Sequence, residues 1–228
     1  MQILFEDDHL IAVNKPNGIF VHRTSLDPEA TVFVVQEVRN IVGKHVYPVH
    51  RLDRKTSGVI VLAKSKEVQS ELNSSFRDRE IEKSYLAIVR GYTDEKGHID
   101  YPLTNDSGKI QEALTDFETL QHMEIDLNSG TFPTSRYSLI RIFPLTGRRH
   151  QIRRHLAHIL HPIIGDRPHG CNKQNRFFLA QYQMNHMLLH AEIIKFVHPI
   201  SRESIEIQAP LFGEFERMMD ELGFSAIV

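Results

Sequence analysis

The residues with the clearest chemical potential lie in segment 49–58, VHRLDRKTSG, where Asp53 stands between Arg51 and Arg54, with Lys55 beside them. Nearby cations favour the ionised form of a carboxyl group through Coulomb attraction and hydrogen bonding. An ionised carboxylate can act as a covalent nucleophile. It can equally be one half of a structural ion pair, and such pairs greatly outnumber nucleophilic carboxylates in folded proteins. On the chemistry of these residues alone, the structural interpretation is favoured.

A second candidate is the basic segment 141–155, RIFPLTGRRHQIRRH, which contains five Arg, two His and no acid, whereas the whole chain has a net charge of only −2. A nearly neutral chain with one concentrated basic segment can bind a phosphate backbone locally. The alternative is a solvated helix face, which is the usual role of a charge run. Both interpretations stay open at this point.

Histidines at positions 150, 155, 158 and 161 raise the possibility of a metal site, because neighbours three apart can share a helix face. The cationic side chains of Arg153 and Arg154 would repel a metal ion, so we expect histidines that are hydrogen-bonded or face a bound phosphate backbone, and no metal. The single cysteine, Cys171, excludes an internal disulfide and fits a reducing compartment. A serine hydrolase is disfavoured because the chain has no G-x-S-x-G motif.

The elements that must position these residues are both strands and helices. In the first third of the chain, we predict two short strands with a turn at Asp7 and Asp8, a helix ending near Gly43, a strand over GVIVLAKS and a helix capped by Ser65. Beyond it, we predict strands over KSYLAIVRG and TSRYSLIRIFP, a helix starting just after Gly147, a closing hairpin and a final amphipathic helix. This order favours an α+β fold with a mixed or mainly antiparallel sheet.

Length and the first residues limit the class of protein. The 228 residues allow one domain or two small lobes. The first eight residues are acidic and include neither a basic segment nor a long apolar one, so they are not a secretory signal. No apolar run reaches the roughly 18 residues of a membrane span. We therefore expect a cytoplasmic protein.

Five motifs occur in an order that changes the interpretation of Asp53. They are VNKPNGIFVH, HRLDRKTSG, EKSYLAIVRG, PLTGRRHQIRRHL and HPIIGDRPHG. Together they resemble the RluA-type pseudouridine synthases over most of the chain, and HRLDxxTSG is highly specific by itself. The resemblance implies a single catalytic domain over residues 1–228, with two sub-lobes, flanking helices, a central active-site cleft and no N-terminal S4 domain.

The resemblance also implies roles for individual residues. Asp53 matches the essential nucleophilic aspartate, and Arg51 matches the arginine that helps to displace the target base. Tyr85 matches the aromatic residue that packs on the flipped uracil, and Arg153 matches the arginine that pairs with the catalytic aspartate. The phosphate-contact candidates are Arg148, Arg149 and Arg154, and the residues expected to support the active site are Lys15, His22 and Thr56.

The substrate implied is tRNA. The segments HGCNKQNR and IRRHLAH resemble family members that isomerise uridine 65 in the T-stem, without metal or redox cofactor. The same reaction on ribosomal RNA or at another tRNA position is the first alternative, and a catalytically inactive RNA-binding protein is the second. A monomer is expected.

Overall fold

The computed structural model describes residues 1–23, 29, 31–129 and 132–226. By their internal contacts, the residues form two compact units. The first comprises Met1–Lys83 and Ala191–Pro210, and the second comprises Ser84–His190 and Leu211–Val228. Five helices occur in the described part, and every strand pair with a described register is antiparallel. The predicted α+β class with a mainly antiparallel sheet is confirmed.

The first unit is built on two fully buried strands. Its elements are β1 (Gln2–Glu6), β2 (Leu10–Lys15), α1 (Val34–Val42), β3 (Tyr47–Pro48), β4 (Ser57–Ala63), α2 (Lys66–Arg77), β11 (Leu189–Val197, from Ala191 onward) and β12 (Ser204–Gln208). The strand order is β1-β2-β4-β11, with β3 on β4 and β12 on β11. Every residue of β2 and β4 is buried, and the apolar runs LIAV and VIVLA within them are typical of strands covered on both faces.

The second unit has the strand order β5-β10-β9-β6 and a separate β7–β8 hairpin. Its elements are β5 (Glu82–Arg90, from Ser84 onward), β6 (Lys96–Asp100), β7 (Leu103–Thr104), β8 (Ile110–Gln111), β9 (Leu114–Ile125), β10 (Ser135–Pro144), α3 (Gln151–His158), α4 (Asn172–Tyr182) and α5 (Glu214–Leu222). One core cluster joins β5 and β10 to α4 and α5, and a second joins them to β9 and α3.

The predicted boundaries agree with the structure over the first third of the chain. Helix α1 ends at Gly43, whose φ is 72°, and the Ser65 hydroxyl accepts from the Val68 N–H at 3.3 Å to cap α2. Helix α3 starts later than predicted, at Gln151: residues 147 and 148 are irregular, residues 149 and 150 form a turn, and His150 is left-handed with φ 54°.

Helix α4 and the strands β3, β6, β7, β8 and β9 were not anticipated from the sequence. In β9, the register to β10 skips Leu120, because Gln121 pairs with Leu139 and Thr119 with Ile140. This β-bulge interrupts the alternation of apolar and polar residues, which is the sequence signal for a strand. Helix α4 starts after Cys171 in the polar segment HGCNKQNR, which gave no apolar periodicity. Among the described residues, no helix is long and apolar enough to cross a membrane.

Candidate active site

The turn that carries Asp53 ends in β4. The Thr56 N–H donates to the carbonyl oxygen of Asp53 at 3.1 Å, and Thr56 is buried. Two residues further on, Gly58 has φ 110°, and an added Cβ would lie 2.1 Å from the carbonyl oxygen of Ala191. Only glycine fits this close approach of two backbones. The Thr-Ser-Gly triplet therefore closes the turn and packs β4 against β11.

Lys15, the last residue of β2, holds this turn from inside. Its side chain is fully buried, and Nζ donates to the carbonyl oxygens of Arg54 at 3.0 Å and Thr56 at 2.7 Å. A third bond, 3.0 Å long, goes to the carbonyl oxygen of Pro16. Three acceptors match the three N–H donors of an ammonium group. Lys15, which was predicted to support the active site, thus binds backbone carbonyl groups of the Asp53 turn and of the loop after β2.

Asp53 and Lys15 also interact through their charges. Burial lowers the pKa of Lys15 to about 7, and the negative charge of Asp53 opposes this shift. A buried ammonium nearby stabilises an ionised carboxylate in return. The half-buried Asp53 side chain therefore lies within Coulombic reach of a buried lysine.

The loop after β2 is bound to the same turn. Arg54 Nε donates to the carbonyl oxygen of Gly18 at 2.9 Å, and the Gly18 N–H donates back to the carbonyl oxygen of Arg54 at 2.9 Å. The Arg54 guanidinium lies 4.9 Å from the ring centroid of Phe20, and the Asn17 amide donates to the carbonyl oxygen of Lys55. The motifs VNKPNG and HRLDRK thus form one local structure.

Arg51 and His22 are exposed in the same unit. Within the described part of the chain, the Arg51 side chain has no hydrogen-bond or ion-pair partner. Its exposed guanidinium can reach a ligand from solvent.

His50, the first residue of HRLD, has a structural role that the sequence did not indicate. Its Nε2 accepts from the Val61 N–H at 3.0 Å, so that nitrogen carries no proton. Burial, with the positive charge of Lys83 in addition, lowers the pKa of His50 to about 3. The ring stacks on Phe76 with centroids 5.2 Å apart. His50 is therefore a neutral residue that joins the motif to β4 and α2.

In the second unit, Arg153 forms a buried bidentate ion pair with Asp166. Arg153 Nε lies 2.8 Å from Oδ2, and Nη2 lies 2.8 Å from Oδ1. The two side chains are 6% and 1% exposed. Two parallel bonds fix the plane of the guanidinium as well as its position. Arg153, predicted to pair with the catalytic aspartate, is thus held by an acid that sequence reasoning did not select.

Asp166 is itself held by the loop around it. Its carbonyl oxygen accepts from the Asn175 side-chain amide at 2.7 Å, and Asn175 Oδ1 accepts from the Gly165 N–H at 2.9 Å. The His169 N–H donates to Asp166 Oδ1 at 3.3 Å. This network explains the motif HPIIGDRPHG and part of QNR. The available signal was the lone acid in a segment otherwise rich in Arg and His.

Tyr85 lies on β5 opposite Ile142 of β10 and is half-buried. It packs against the second unit's aliphatic cluster, which includes Ile140, Ile152 and Leu156. The aliphatic contacts fix one part of the ring, while its exposed part can meet a ligand. This arrangement suits a residue that stacks on a planar base.

The three arginines predicted to contact phosphates surround one cavity of about 440 Å³. Arg148 Nε donates to the carbonyl oxygen of Glu112 at 2.9 Å, and Arg154 Nη1 donates to that of Thr104 at 2.9 Å. Arg149 forms an ion pair with Asp106. The arginines therefore join the turn before α3, and α3 itself, to the β7–β8 hairpin.

The histidines proposed as an alternative metal site have other contacts. His155 Nδ1 lies 2.9 Å from Thr115 Oγ1, and Nε2 lies 3.0 Å from the carbonyl oxygen of Tyr101. His158 stacks on Tyr101 with centroids 3.7 Å apart. His161 Nδ1 bonds the carbonyl oxygen of Arg90, and His150 Nδ1 bonds His169. Among the described residues, no three His, Cys, Asp or Glu are grouped as metal ligands.

The candidate residues fall into two sets. The first unit brings together Lys15, Asp53 and Thr56, with Arg51 two residues before Asp53. The second unit contains Tyr85 and Arg153, and it groups the three remaining arginines around the cavity. The pairing of Arg153 with Asp53 stays a prediction.

A family model described as "RNA pseudouridylate synthase" matches residues 9–158, a range that includes the Asp53 turn, Tyr85 and α3 up to its end. Relatives align over nearly the whole chain. The tRNA pseudouridine synthase C of Haemophilus influenzae is 42% identical over 100% of both chains. That of Pasteurella multocida is 47% identical over 92% of this chain and 90% of its own. The chain belongs to the RNA pseudouridylate synthase family.

Solved structures agree on the fold. Human RNA Pseudouridylate Synthase Domain Containing 4 has a TM-score of 0.76 and 22% sequence identity, and the match covers 99% of this chain and 94% of that one. Human RNA Pseudouridylate Synthase Domain Containing 1 has a TM-score of 0.70, again at 22% identity. The motif order read from the sequence therefore identified the family and its fold correctly.

Proposed function

We propose that the protein isomerises uridine to pseudouridine in tRNA and that Asp53 is its catalytic carboxylate. The observation that carries the proposal is the Asp53 turn, in which a buried ammonium clamps the backbone and supplies positive charge. Relatives aligned over the full chain are tRNA pseudouridine synthases, which supports tRNA as the substrate.

The reaction requires no change of oxidation state. The bond from C1′ to N1 breaks, the uracil turns, and a bond from C1′ to C5 forms. C5 loses one proton and N1 gains one, so atoms and electrons balance within the nucleotide. An ionised Asp53 is compatible with three first steps: attack on C1′, attack on C6, or removal of a sugar proton.

In this proposal, Arg51 and Tyr85 act in base flipping, which precedes the cleavage of the glycosidic bond. A uridine in a stem must leave the base stack, at a cost of a few kcal/mol. The exposed Arg51 fills the space that the base leaves, and the half-buried Tyr85 stacks on the extruded uracil. Stacking on an aromatic ring contributes about 1–3 kcal/mol per base, which offsets part of the cost.

Arg153 supports the charge of Asp53 in the same proposal. Its guanidinium cannot lose its proton under physiological conditions. The bidentate pair with Asp166 restricts its orientation, so less conformational entropy is lost when it acts on a second carboxylate. Asp166 is thus a positioning residue that acts through Arg153.

The target position proposed is uridine 65 in the T-stem. The segments HGCNKQNR and IRRHLAH, which resemble family members that act at this position, are the reason for this choice. The arginines around the β7–β8 hairpin then contact phosphates next to the modified stem. Cytoplasmic localisation and a monomeric state remain predictions.

The proposal is tested with purified protein and unmodified tRNA transcripts in EDTA, mapping pseudouridine at single-nucleotide resolution. We expect conversion at position 65 by the wild type and none by Asp53→Asn, with RNA binding largely retained. Conversion only in ribosomal RNA would keep the chemistry and reject the substrate. Conversion by Asp53→Asn would reject the catalytic role, and RNA binding without any conversion would indicate an inactive RNA-binding protein.

A further inference from the structure

The cavity beside α3 has an unusual charge arrangement. It lies between the β7–β8 hairpin and the turn before α3, and the residues that line it include Arg148, Arg149 and Arg154. His150 and His169 also line it, with His150 Nδ1 2.9 Å from His169 Nε2. Asp106 is the one acidic side chain among the described residues of this lining. A concave surface with three guanidinium groups is suited to an anion.

Two of these guanidinium groups are held in place before any ligand arrives. The carbonyl oxygens of Glu112 and Thr104 each accept one bond, from Arg148 and Arg154. A guanidinium has five N–H donors, so one bond to the protein leaves most of them for a ligand. The side chains are therefore oriented at little further entropic cost when a phosphate binds.

The third guanidinium, that of Arg149, is paired with the hairpin's own carboxylate. Asp106 lies at the hairpin tip, where Asn105 Oδ1 accepts from the N–H groups of Ser107 at 3.0 Å and Lys109 at 2.9 Å. These bonds fix the tip that carries Asp106. The Arg149 and Asp106 side chains are 48% and 76% exposed. Exposed ion pairs are weak and are screened by salt.

We propose that the Asp106 carboxylate is ion-paired with Arg149 in the free protein, and that a phosphate group of the RNA displaces this carboxylate from Arg149 on binding. Arg149 is then available to RNA only in the fraction of molecules in which the pair is open. The inference rests on the proposed function in that the ligand is RNA. It goes further in naming an intramolecular competitor that weakens binding.

The size of the effect follows from the strength of such a pair. Exposed pairs typically form with equilibrium constants of about 1 to 5, so closing one lowers the apparent affinity about two- to sixfold. Asp106→Asn keeps the shape of the side chain and removes its charge. We therefore expect this variant to bind an unmodified tRNA transcript about two- to sixfold more tightly than the wild type.

A matched control separates competition from net charge. Glu206→Gln removes one negative charge from another exposed ion pair, in which the Glu206 side chain is 50% exposed and that of its partner Lys195 is 46% exposed. We expect no gain in affinity from Glu206→Gln. An equal gain would attribute the effect to net charge and overturn the proposal.

A double-mutant cycle separates competition from simple repulsion. In Arg149→Ala protein, Asp106 can only repel RNA, so Asp106→Asn should gain about two- to sixfold less there than in the wild-type background. An equal or larger gain without Arg149 would overturn the proposal, as would weaker binding by Asp106→Asn itself. Binding is measured separately from pseudouridine formation. A protein that binds tRNA without converting it would contradict the proposed function and leave this test intact.

Discussion

At the residue scale, the chemistry of Asp53 is coupled to that of Lys15. Burial lowers the pKa of the lysine to about 7, while the carboxylate charge opposes the shift. The three carbonyl acceptors around Nζ also favour the ammonium form, since a neutral amine has only two N–H donors. The pKa of Lys15 is therefore sensitive to the charge of Asp53.

This coupling predicts a measurable shift. Asp53→Asn removes the charge that raises the pKa of Lys15, so that pKa should fall below its wild-type value of about 7. The measurement is an NMR titration of the Lys15 side-chain carbon next to Nζ. Asp106→Asn, which changes a carboxylate in the other unit, is the control and should leave the titration unchanged. A pKa that stays constant or rises in Asp53→Asn would contradict the coupling.

The pair between Arg153 and Asp166 belongs to the same scale. Removing one member of a buried pair typically costs about 3–5 kcal/mol, because a buried charge loses its compensation. Asp166→Asn should therefore lower the free energy of unfolding in urea by about 3 kcal/mol. Glu206→Gln, in an exposed pair, should cost less than about 1 kcal/mol. Similar small losses for both variants would show that Asp166 does not stabilise Arg153.

At the scale of elements, the HRLDRKTSG segment works because strand β4 holds it. Gly58 lets β4 approach β11 where any side chain would meet the backbone of Ala191. On the other side, Lys15 extends from the end of β2 and binds the turn's carbonyl groups. Two neighbouring strands therefore set the conformation around Asp53.

A pair of glycine substitutions tests this arrangement. Gly58→Ala combines a φ of 110° with a contact of 2.1 Å, so we expect loss of soluble, folded protein. Gly108→Ala has a φ of 80° but nothing within 4 Å of the added Cβ, and should cost only about 1–2 kcal/mol. Circular dichroism and thermal unfolding distinguish them. A folded, stable Gly58→Ala protein would refute the close approach of β4 and β11.

At the scale of the whole molecule, neither unit is continuous in sequence. The first unit takes β12 and most of β11 from residues after 190, and the second takes α5 from residues after 210. Helix α5 contributes Phe215, Met218, Met219 and Leu222 to the core of the second unit. Both units thus depend on the C-terminal part of the chain.

This discontinuity predicts the effect of truncation. A chain ending at residue 190 lacks strands of the first unit and the buried face of α5, so neither unit should unfold cooperatively in urea. A chain ending at residue 226 keeps every described element and should unfold as the wild type does. A cooperative transition in the shorter chain would show that at least one unit folds without these elements.

The sequence alone determined the family, the fold class and most element boundaries. Motif order carried the first. Apolar periodicity indicated the fold class and the positions of the elements. Ser65 and Gly43, which are strong local signals for helix ends, indicated the boundaries. The same reasoning missed the short strands β3, β6, β7 and β8. It also missed β9, whose bulge at Leu120 breaks the alternation, and α4, whose first residues are polar. The candidate residues themselves were all chosen from sequence motifs.

Only the tertiary structure decided what holds these residues. Lys15 lies 39 positions from its partner Arg54, and Arg153 lies 13 from Asp166. Arg149 and Asp106 are 43 positions apart. Such pairs depend on how strands and loops pack, and no local propensity encodes them. A charged residue in a motif therefore predicts chemistry from its type, whereas its charge state and orientation follow from partners that only folding brings near.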